Sequence, residues 1–287
     1  MRKTHHPSSL ETLKGEFETH LQATLLNHTE ESELRASFSY ALMNGGKRIR
    51  PLITMIIAKA LGNHLSVLEA SLSVEYFHTA SLIADDLPCM DNDEMRRCKP
   101  ALHKEFGETV AILTSYALIS AGYEKILHAS RVLEKAKAPF NERKDLCCVA
   151  ALREATHAAG ISGAVGGQFQ DLFPQSFTEE AIEDLIYKKT VTLFEIAFAF
   201  GWIFGGGELS QLHKVRALAT HFGMAFQIWD DLKDMKEDWK VANNMASLIG
   251  EEKAKERVGR ELELFKMKAS ELGVLSTELK DLLQLLS

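Results

Sequence analysis

The chain has 287 residues, 46% of them hydrophobic and 25% charged, with a formal net charge of −7 and a pI of about 5.9. That length is ample for a large core, and the acidic balance argues against non-specific nucleic-acid binding. The four cysteines, Cys89, Cys98, Cys147 and Cys148, lack the spacing of a zinc site, and an adjacent pair rarely bridges. The first residues, Met1 to Pro7, lack the apolar stretch of a signal peptide. The longest apolar run, Ile196 to Phe204, is interrupted by Gly201 and falls short of the ~20 residues of a membrane helix. The expectation is a cytoplasmic protein with reduced thiols and no membrane span.

In chain order, helical spacing of apolar residues recurs from Leu42 to Leu61, Val67 to Leu82, Val110 to Leu127, Leu185 to Phe204 and Val215 to Trp229. Breaks fall at Asn44-Gly45-Gly46, Gly62-Asn63, Pro88 to Pro100, Lys135 to Asn141, Phe173 to Ser176 and Gly205 to Ser210. Of six prolines none follows Pro174, so the C-terminal part is free of the strongest helix breaker. From Glu251 onward the chain is charged and amphipathic, as suits a peripheral helix or two. The pattern predicts one all-α domain over residues 1–287, a bundle whose short loops join antiparallel neighbours.

Three groups of cations and two groups of carboxylates stand out. Lys47, Arg48 and Arg50 precede Pro51, which suits the first position of a helix; a helix N-terminus flanked by Lys and Arg is a natural diphosphate site. Asp85-Asp86-Leu87-Pro88-Cys89-Met90-Asp91 closes an apolar helix, and Arg96-Arg97 follow it. Lys188-Lys189-Thr190 lie on another helix. Asp230-Asp231-Leu232-Lys233-Asp234 closes the apolar stretch from Phe222, and Asp230 and Asp234 share a helix face. Close carboxylates beside apolar flanks repel each other, and a hard divalent cation such as Mg²⁺ relieves that cost. Either acidic motif alone is as well read as a solvated helix end, and any one basic group as a solvated turn. Together they describe one diphosphate held through metal and a second held by Lys47, Arg50 and Arg97 directly, which is what a coupling reaction needs.

With these residues in place the sequence resembles the trans-polyprenyl diphosphate synthases, especially the short-chain farnesyl and geranylgeranyl members. The match runs from about Phe38 to Gly250 in family order. It rests on Gly46-Lys47-Arg48-Ile49-Arg50-Pro51, His78, the first acidic motif, Arg96-Arg97, His103-Lys104-Glu105-Phe106-Gly107, Gly166-Gly167-Gln168-Phe169-Gln170-Asp171-Leu172, Lys189-Thr190, and Phe226-Gln227-Ile228-Trp229 before the second acidic motif. The resemblance implies an all-α bundle around a deep central cavity, usually a homodimer, with Mg²⁺ clamping the allylic diphosphate. By position it implies Asp85, Asp91 and Asp230 as metal ligands and Asp86, Asp231 and Asp234 as supporting carboxylates. Arg96, Lys189 and Gln227 are implied as allylic diphosphate contacts, and Lys47, Arg50, His78 and Arg97 as the isopentenyl diphosphate site. Thr190, Gln227 and nearby carbonyls are implied as cation-stabilising dipoles. His78 precedes Asp85 by seven residues and so shares its helix face, although a histidine on an apolar helix is more often a packing residue.

Three departures accompany the resemblance. The loop after Asp234 is short and places Ala242 where the family carries a lysine, leaving Lys233, Lys236 or Lys240 as substitutes. Thr114-Ser115-Tyr116-Ala117-Leu118 stands where Gly-Asp-Ala-Leu is frequent, and Ala84 where histidine is common. A silent regulatory subunit fits the altered loop but not the two intact acidic motifs; a class I terpene cyclase leaves Lys47, Arg50 and His78 without a purpose. Product length is expected to be set one turn deeper than Ala80 and Ser81, at Tyr76 and Phe77, with Tyr116 and Tyr123 as alternatives. That extra turn, ~5.4 Å, favours geranylgeranyl over farnesyl diphosphate.

Overall fold

A computed structural model describes residues 8–26, 31–237 and 244–286, with residues 236, 237 and 285 described in backbone only. The helices are α1 (Ser9–Leu26), α2 (Glu33–Leu42), α3 (Ile49–Ala60), α4 (Leu68–Asp85), α5 (Leu102–Phe106), α6 (Glu108–Glu134), α7 (Lys144–Ala159), α8 (Ala164–Leu172), α9 (Glu179–Ile186), α10 (Thr192–Phe204), α11 (Leu212–Glu237), α12 (Met245–Ile249), α13 (Glu251–Glu271) and α14 (Thr277–Leu283). The all-α expectation holds. The only strands among the described residues are β1 (Met95–Arg96) and β2 (Lys99–Pro100), a two-residue antiparallel hairpin that turns the chain after the first acidic motif.

The helix α10 is the axis of the bundle. Every one of its residues is buried, which is why its sequence is apolar on all sides rather than striped. It touches α3, α4, α7 and α11. Glycine lets α3 come close: a Cβ at Gly201 would lie 2.5 Å from the Thr54 carbonyl oxygen, and one at Gly205 2.7 Å from the Ala58 Cα. α4 and α6 pack along each other and are tied by Ser73 Oγ donating to Gly122 O (2.7 Å) and Ser115 Oγ donating to Ala80 O (3.0 Å). α6 has the length and hydropathy of a membrane-crossing helix, yet one side of it is committed to α4 and α7. A smaller core joins Ile182, Ile186, Met224, Ile228 and Met245, where α9, α11 and α12 meet.

Several boundaries differ from the sequence expectation. Within the apolar run from Leu42 to Leu61 the helix beyond Leu42 is confined to α3, after the expected break at Gly45 and Gly46, both at positive φ, and Arg48 adopts a left-handed backbone just before it. Pro51 is the third helical residue and not the first; it remains in the first turn, where its missing N–H has no partner to lose. Lys188, Lys189 and Thr190 lie on a π-helical turn, Tyr187–Val191, between α9 and α10.

Candidate active site

An apolar cavity of about 320 Å³ opens beside the C-terminal half of α4. On α4 it is lined by Phe77, Ala80, Ser81, Ala84 and Asp85, and opposite them by Ser115 and Ile119 of α6 and by Val165, Gln168, Phe169 and Leu172 of α8. Phe77 closes the end away from Asp85. Its ring meets Tyr123 edge-on with centroids 5.0 Å apart, and Gly122 leaves room for it, since a Cβ there would lie 3.0 Å from the ring. Phe77, Ala80 and Ser81, three of the expected chain-length residues, therefore line the cavity. Tyr76 does not: it is 1% exposed and packs edge-on against Phe38, because a one-residue step on a helix turns it by about 100° away from the cavity. Tyr116 is also outside, 65% exposed.

Asp85, the last residue of α4, stands at the other end of the cavity. Burial, with Asp91 and Asp86 nearby, pushes its carboxyl up to about 7 against the pull of Lys189 and Arg96. Asp86 is almost wholly buried and engages Arg96 through both carboxylate oxygens, with Arg96 Nε at 2.9 and 3.1 Å; Arg96 also reaches Asp93. Asp86 thus fixes Arg96, and the guanidinium keeps donors to spare for a diphosphate. Asp91 is exposed beside Gln168 and Lys189.

A cationic wall lies on the neighbouring side. Arg50 stacks on Phe194 with its guanidinium carbon 4.2 Å from the ring centroid and donates to His78 Nε2 (3.2 Å). Burial lowers the Arg50 guanidinium to about 10 and, with the surrounding arginines, holds His78 well below its usual range. His78 is therefore a neutral ring accepting from Arg50. Arg97 lies over Gly45-Gly46, where a Cβ on Gly46 would come within 2.7 Å of its guanidinium carbon, and donates to Gly45 O. Lys47 is exposed at the rim. Arg48, although adjacent in sequence, is buried and paired with Glu18 and Glu75. Glu75, 1% exposed, also lies 3.9 Å from Arg97, so one buried carboxylate holds this group of guanidinia together.

The π-helical turn brings Lys189 and Thr190 to the same mouth. Gly167 of α8 packs directly on it, a Cβ there falling 2.4 Å from the Lys189 nitrogen, and Lys189 pairs with Asp171 of α8 and lies 3.9 Å from Asp91. Thr190 Oγ1 donates to Gln227 Oε1 (2.8 Å), and Gln227 Nε2 donates to Asp231 Oδ1 (2.9 Å). Asp231 is buried and also accepts from the Met245 N–H (2.8 Å); burial nevertheless raises it to about 6. It positions Gln227 and anchors α12, while Asp230 remains half-exposed, with Lys233 Nζ 3.9 Å away. Lys233 covers the Trp229 ring. Ala242 and Lys240 lie outside the described residues, as does the side chain of Lys236.

Among the described residues no three His, Cys, Asp or Glu side chains converge tightly enough to chelate a metal unaided. Mg²⁺, which keeps waters and takes phosphate oxygens beside one or two carboxylates, does not require such a cluster. Asp85, buried among carboxylates and raised to about 7, is the group with most to gain from a cation.

Glu75, Asp171, Gly46 and Gly167 belong to the site through packing. Asp171 and both glycines lie within the quoted motifs, whereas nothing in the spacing of Glu75 marks it.

This arrangement defines an all-helical protein with an apolar pocket beside clustered carboxylates and cations. The chain belongs to the polyprenyl synthetase family, whose model matches residues 31–253. It is similar to Geranylgeranyl pyrophosphate synthase 4 of Arabidopsis thaliana, 35% identical over 247 residues that cover 80% of this chain and 63% of that protein. It is also similar to the chloroplastic geranylgeranyl pyrophosphate synthase of Capsicum annuum, 33% identical with 79% and 63% covered. The chain thus spans just under two thirds of these relatives. Among solved structures, a geranyltransferase from Legionella pneumophila superposes with a TM-score of 0.84 at 28% identity, covering 96% of this chain and 95% of that one. An FPP/GFPP synthase from Zymomonas mobilis gives 0.78 at 29%, with 96% and 98% covered.

Proposed function

We propose that this chain joins isopentenyl diphosphate head to tail to an allylic diphosphate, giving a short-chain trans-prenyl diphosphate, with geranylgeranyl diphosphate as the favoured product. The observation that carries the reading is an apolar cavity lined at one end by Asp85, with Lys189 3.9 Å from Asp91 and a further group of cations in which Arg50 meets His78 and Arg97 meets Glu75. A tail fits the cavity and two diphosphates fit the two charged walls. The names of the relatives support the product class.

The allylic diphosphate is placed by Lys189 and Arg96, and the isopentenyl diphosphate by Lys47, Arg50 and Arg97. Asp85, Asp91 and Asp230 would hold Mg²⁺, which would supply the charge neutralisation that the leaving group needs. The allylic C–O bond breaks with its electron pair leaving on the diphosphate. The isopentenyl double bond then forms the new C–C bond, and a proton is lost to the departing diphosphate. His78 orients Arg50 and exchanges no proton. The apolar walls exclude water, which would otherwise capture the cation.

A homodimer is part of this reading, through the outer faces of α6 and α7. Leu113 and Tyr116 of α6 and Leu146 and Val149 of α7 are each at least 48% exposed, and such a run of apolar side chains marks a contact face.

The test is purified protein with Mg²⁺, labelled isopentenyl diphosphate and an allylic primer, beside Asp85→Ala and Asp230→Ala. A C15–C20 product from wild type, with turnover reduced ~10²–10³-fold in both variants, is expected. Cyclic product from the primer alone would make the chain a cyclase. No turnover at any Mg²⁺ concentration would leave a silent subunit.

A further inference from the structure

A groove of about 520 Å³ lies between α7 and α11 and shares no lining residue with the apolar cavity. Its volume is that of a small-molecule site. Arg153, Glu154 and His157 of α7 and His213 and Arg216 of α11 line it, as does Tyr187. Glu154 is the only acidic residue among those lining it, so in a chain of net charge −7 the groove is locally cationic. Glu154 is buried and already paired with Arg216 (2.8 Å), whose side chain keeps 42% of its surface exposed. The buried carboxylate holds that guanidinium in place and leaves it further N–H donors, the device by which Asp86 holds Arg96. Arg153 is exposed and has no side-chain partner among the described residues. Two guanidinia and two imidazoles around one opening suit the several acceptor oxygens of a phosphate. A groove of similar size against α12 and α13 differs: Arg257 there is held by Glu183 and Glu261, and Glu179 and Glu256 also line it.

Tyr187 joins the groove to the active site. It lines the groove and is the first residue of the π-helical turn that carries Lys189 and Thr190. Its hydroxyl donates to the buried Glu195 (3.3 Å), as does that of Thr220, one turn along α11 from Arg216. Beyond prenyl transfer itself, we propose that the groove between α7 and α11 binds a small phosphorylated molecule, and that its occupation loosens the grip of Lys189 on the allylic diphosphate through Tyr187. A tyrosine has one hydroxyl proton to give. A phosphate in the groove competes with Glu195 for it, and the turn then loses the bond that ties its first residue to α10. The binding site stands apart from the prenyl-transfer reading; the consequence at Lys189 rests on it.

The experiment titrates the full chain by calorimetry without Mg²⁺, with inorganic diphosphate in one arm and AMP in the other. Wild type is compared with Arg153→Gln, with Arg153→Gln combined with His213→Gln, and with Arg97→Met, which removes a cation of the active site instead. The expected result is a site weakened at least about tenfold in both groove variants and kept in Arg97→Met. Binding of diphosphate alone makes the leaving group of the reaction the ligand; binding of AMP at the same residues makes it an ester supplied from elsewhere. The affinity for an inert allylic thiolodiphosphate is then measured with Mg²⁺, with and without the groove ligand. It should fall roughly fivefold or more when the groove is filled, and Tyr187→Phe should keep the groove ligand while losing that fall. No binding of either probe, or binding lost in Arg97→Met and kept in Arg153→Gln, would overturn the groove site. An unchanged thiolodiphosphate affinity at saturating groove ligand would overturn the link through Tyr187. Turnover of wild type is assayed beside these; its absence would sink the prenyl-transfer reading, while the groove titration decides the site by itself.

Discussion

Arg48 and Arg97 show how two cations of one basic site divide their work. Arg48 has no exposed side-chain surface and satisfies Glu75, Glu18 and the Leu42 carbonyl. Removing it would strand Glu75 as a buried carboxylate. Arg48→Met should therefore lower stability by roughly 3–5 kcal/mol, the usual cost of breaking a buried pair, read as a denaturant midpoint shift. Arg97 is partly exposed and its guanidinium rests on the Gly45-Gly46 backbone. Arg97→Met should leave the midpoint nearly unchanged while raising the KM for isopentenyl diphosphate more than that for the primer. Steady-state kinetics with each substrate varied in turn decides it; equal effects on both substrates would show that the two diphosphate walls are wrongly divided.

At the level of elements, α4 fixes the depth of the cavity and the π-helical turn fixes its mouth. Along α4 the ring of Phe77 is clamped between Gly122 and Tyr123, so Phe77→Ala should lengthen the product. Ala80→Tyr should stop it at farnesyl diphosphate, and Tyr76→Ala should destabilise the fold without moving the product distribution; chromatography of products with excess isopentenyl diphosphate reads all three. Ser115, in the segment that departs from the family, ties α6 to the Ala80 carbonyl and so braces the wall of the same cavity. Behind the π-helical turn, Glu195 is buried, with Tyr187 and Thr220 hydroxyls donating to it. Burial above all raises its carboxyl to about 7. The folded chain then keeps a proton that the unfolded chain releases between the ordinary value of 4.5 and 7, so stability is full below that window and falls as pH rises through it. Glu195→Gln, which cannot ionise, should melt higher than wild type at pH 8, by up to ~3 kcal/mol, and match it near pH 4.5. Melting curves across that range give the difference directly.

Among the described residues the apolar surface includes an inner part, the lining of the cavity, and an outer part along α6 and α7. On the proposed function the inner surface takes a prenyl tail. The outer one, with Leu113 48%, Tyr116 65%, Leu146 64% and Val149 58% exposed, is expected to bury itself against a second copy. Leu113→Asp combined with Leu146→Asp should convert a dimer to a monomer in light scattering, with little change in helix content. A wild-type chain that is monomeric at all concentrations would leave that face unexplained.

Periodicity alone determined that the chain is helical and roughly where α4, α6 and α11 run, because a 3.6-residue apolar stripe is local information; the run from Leu185 to Phe204 proved to be the end of α9, a π-helical turn and α10. Motif spacing likewise singled out Asp85, Asp91, Asp230, Lys189 and Arg50 as candidates, since each belongs to a short charged motif that is read locally. Contacts between distant elements decided the rest. Tyr76 and Phe77 are equally aromatic, and only the placement of α6 and α2 assigns one to the cavity and the other to Phe38. Arg48 and Arg50 are both cations before one helix, and only the burial of Glu75 makes the first structural and leaves the second facing His78. Asp86 is tied to Arg96, and Asp231 to Gln227 and Met245, because tertiary packing buries both; a buried carboxylate must be met by donors at a distance that the sequence does not encode.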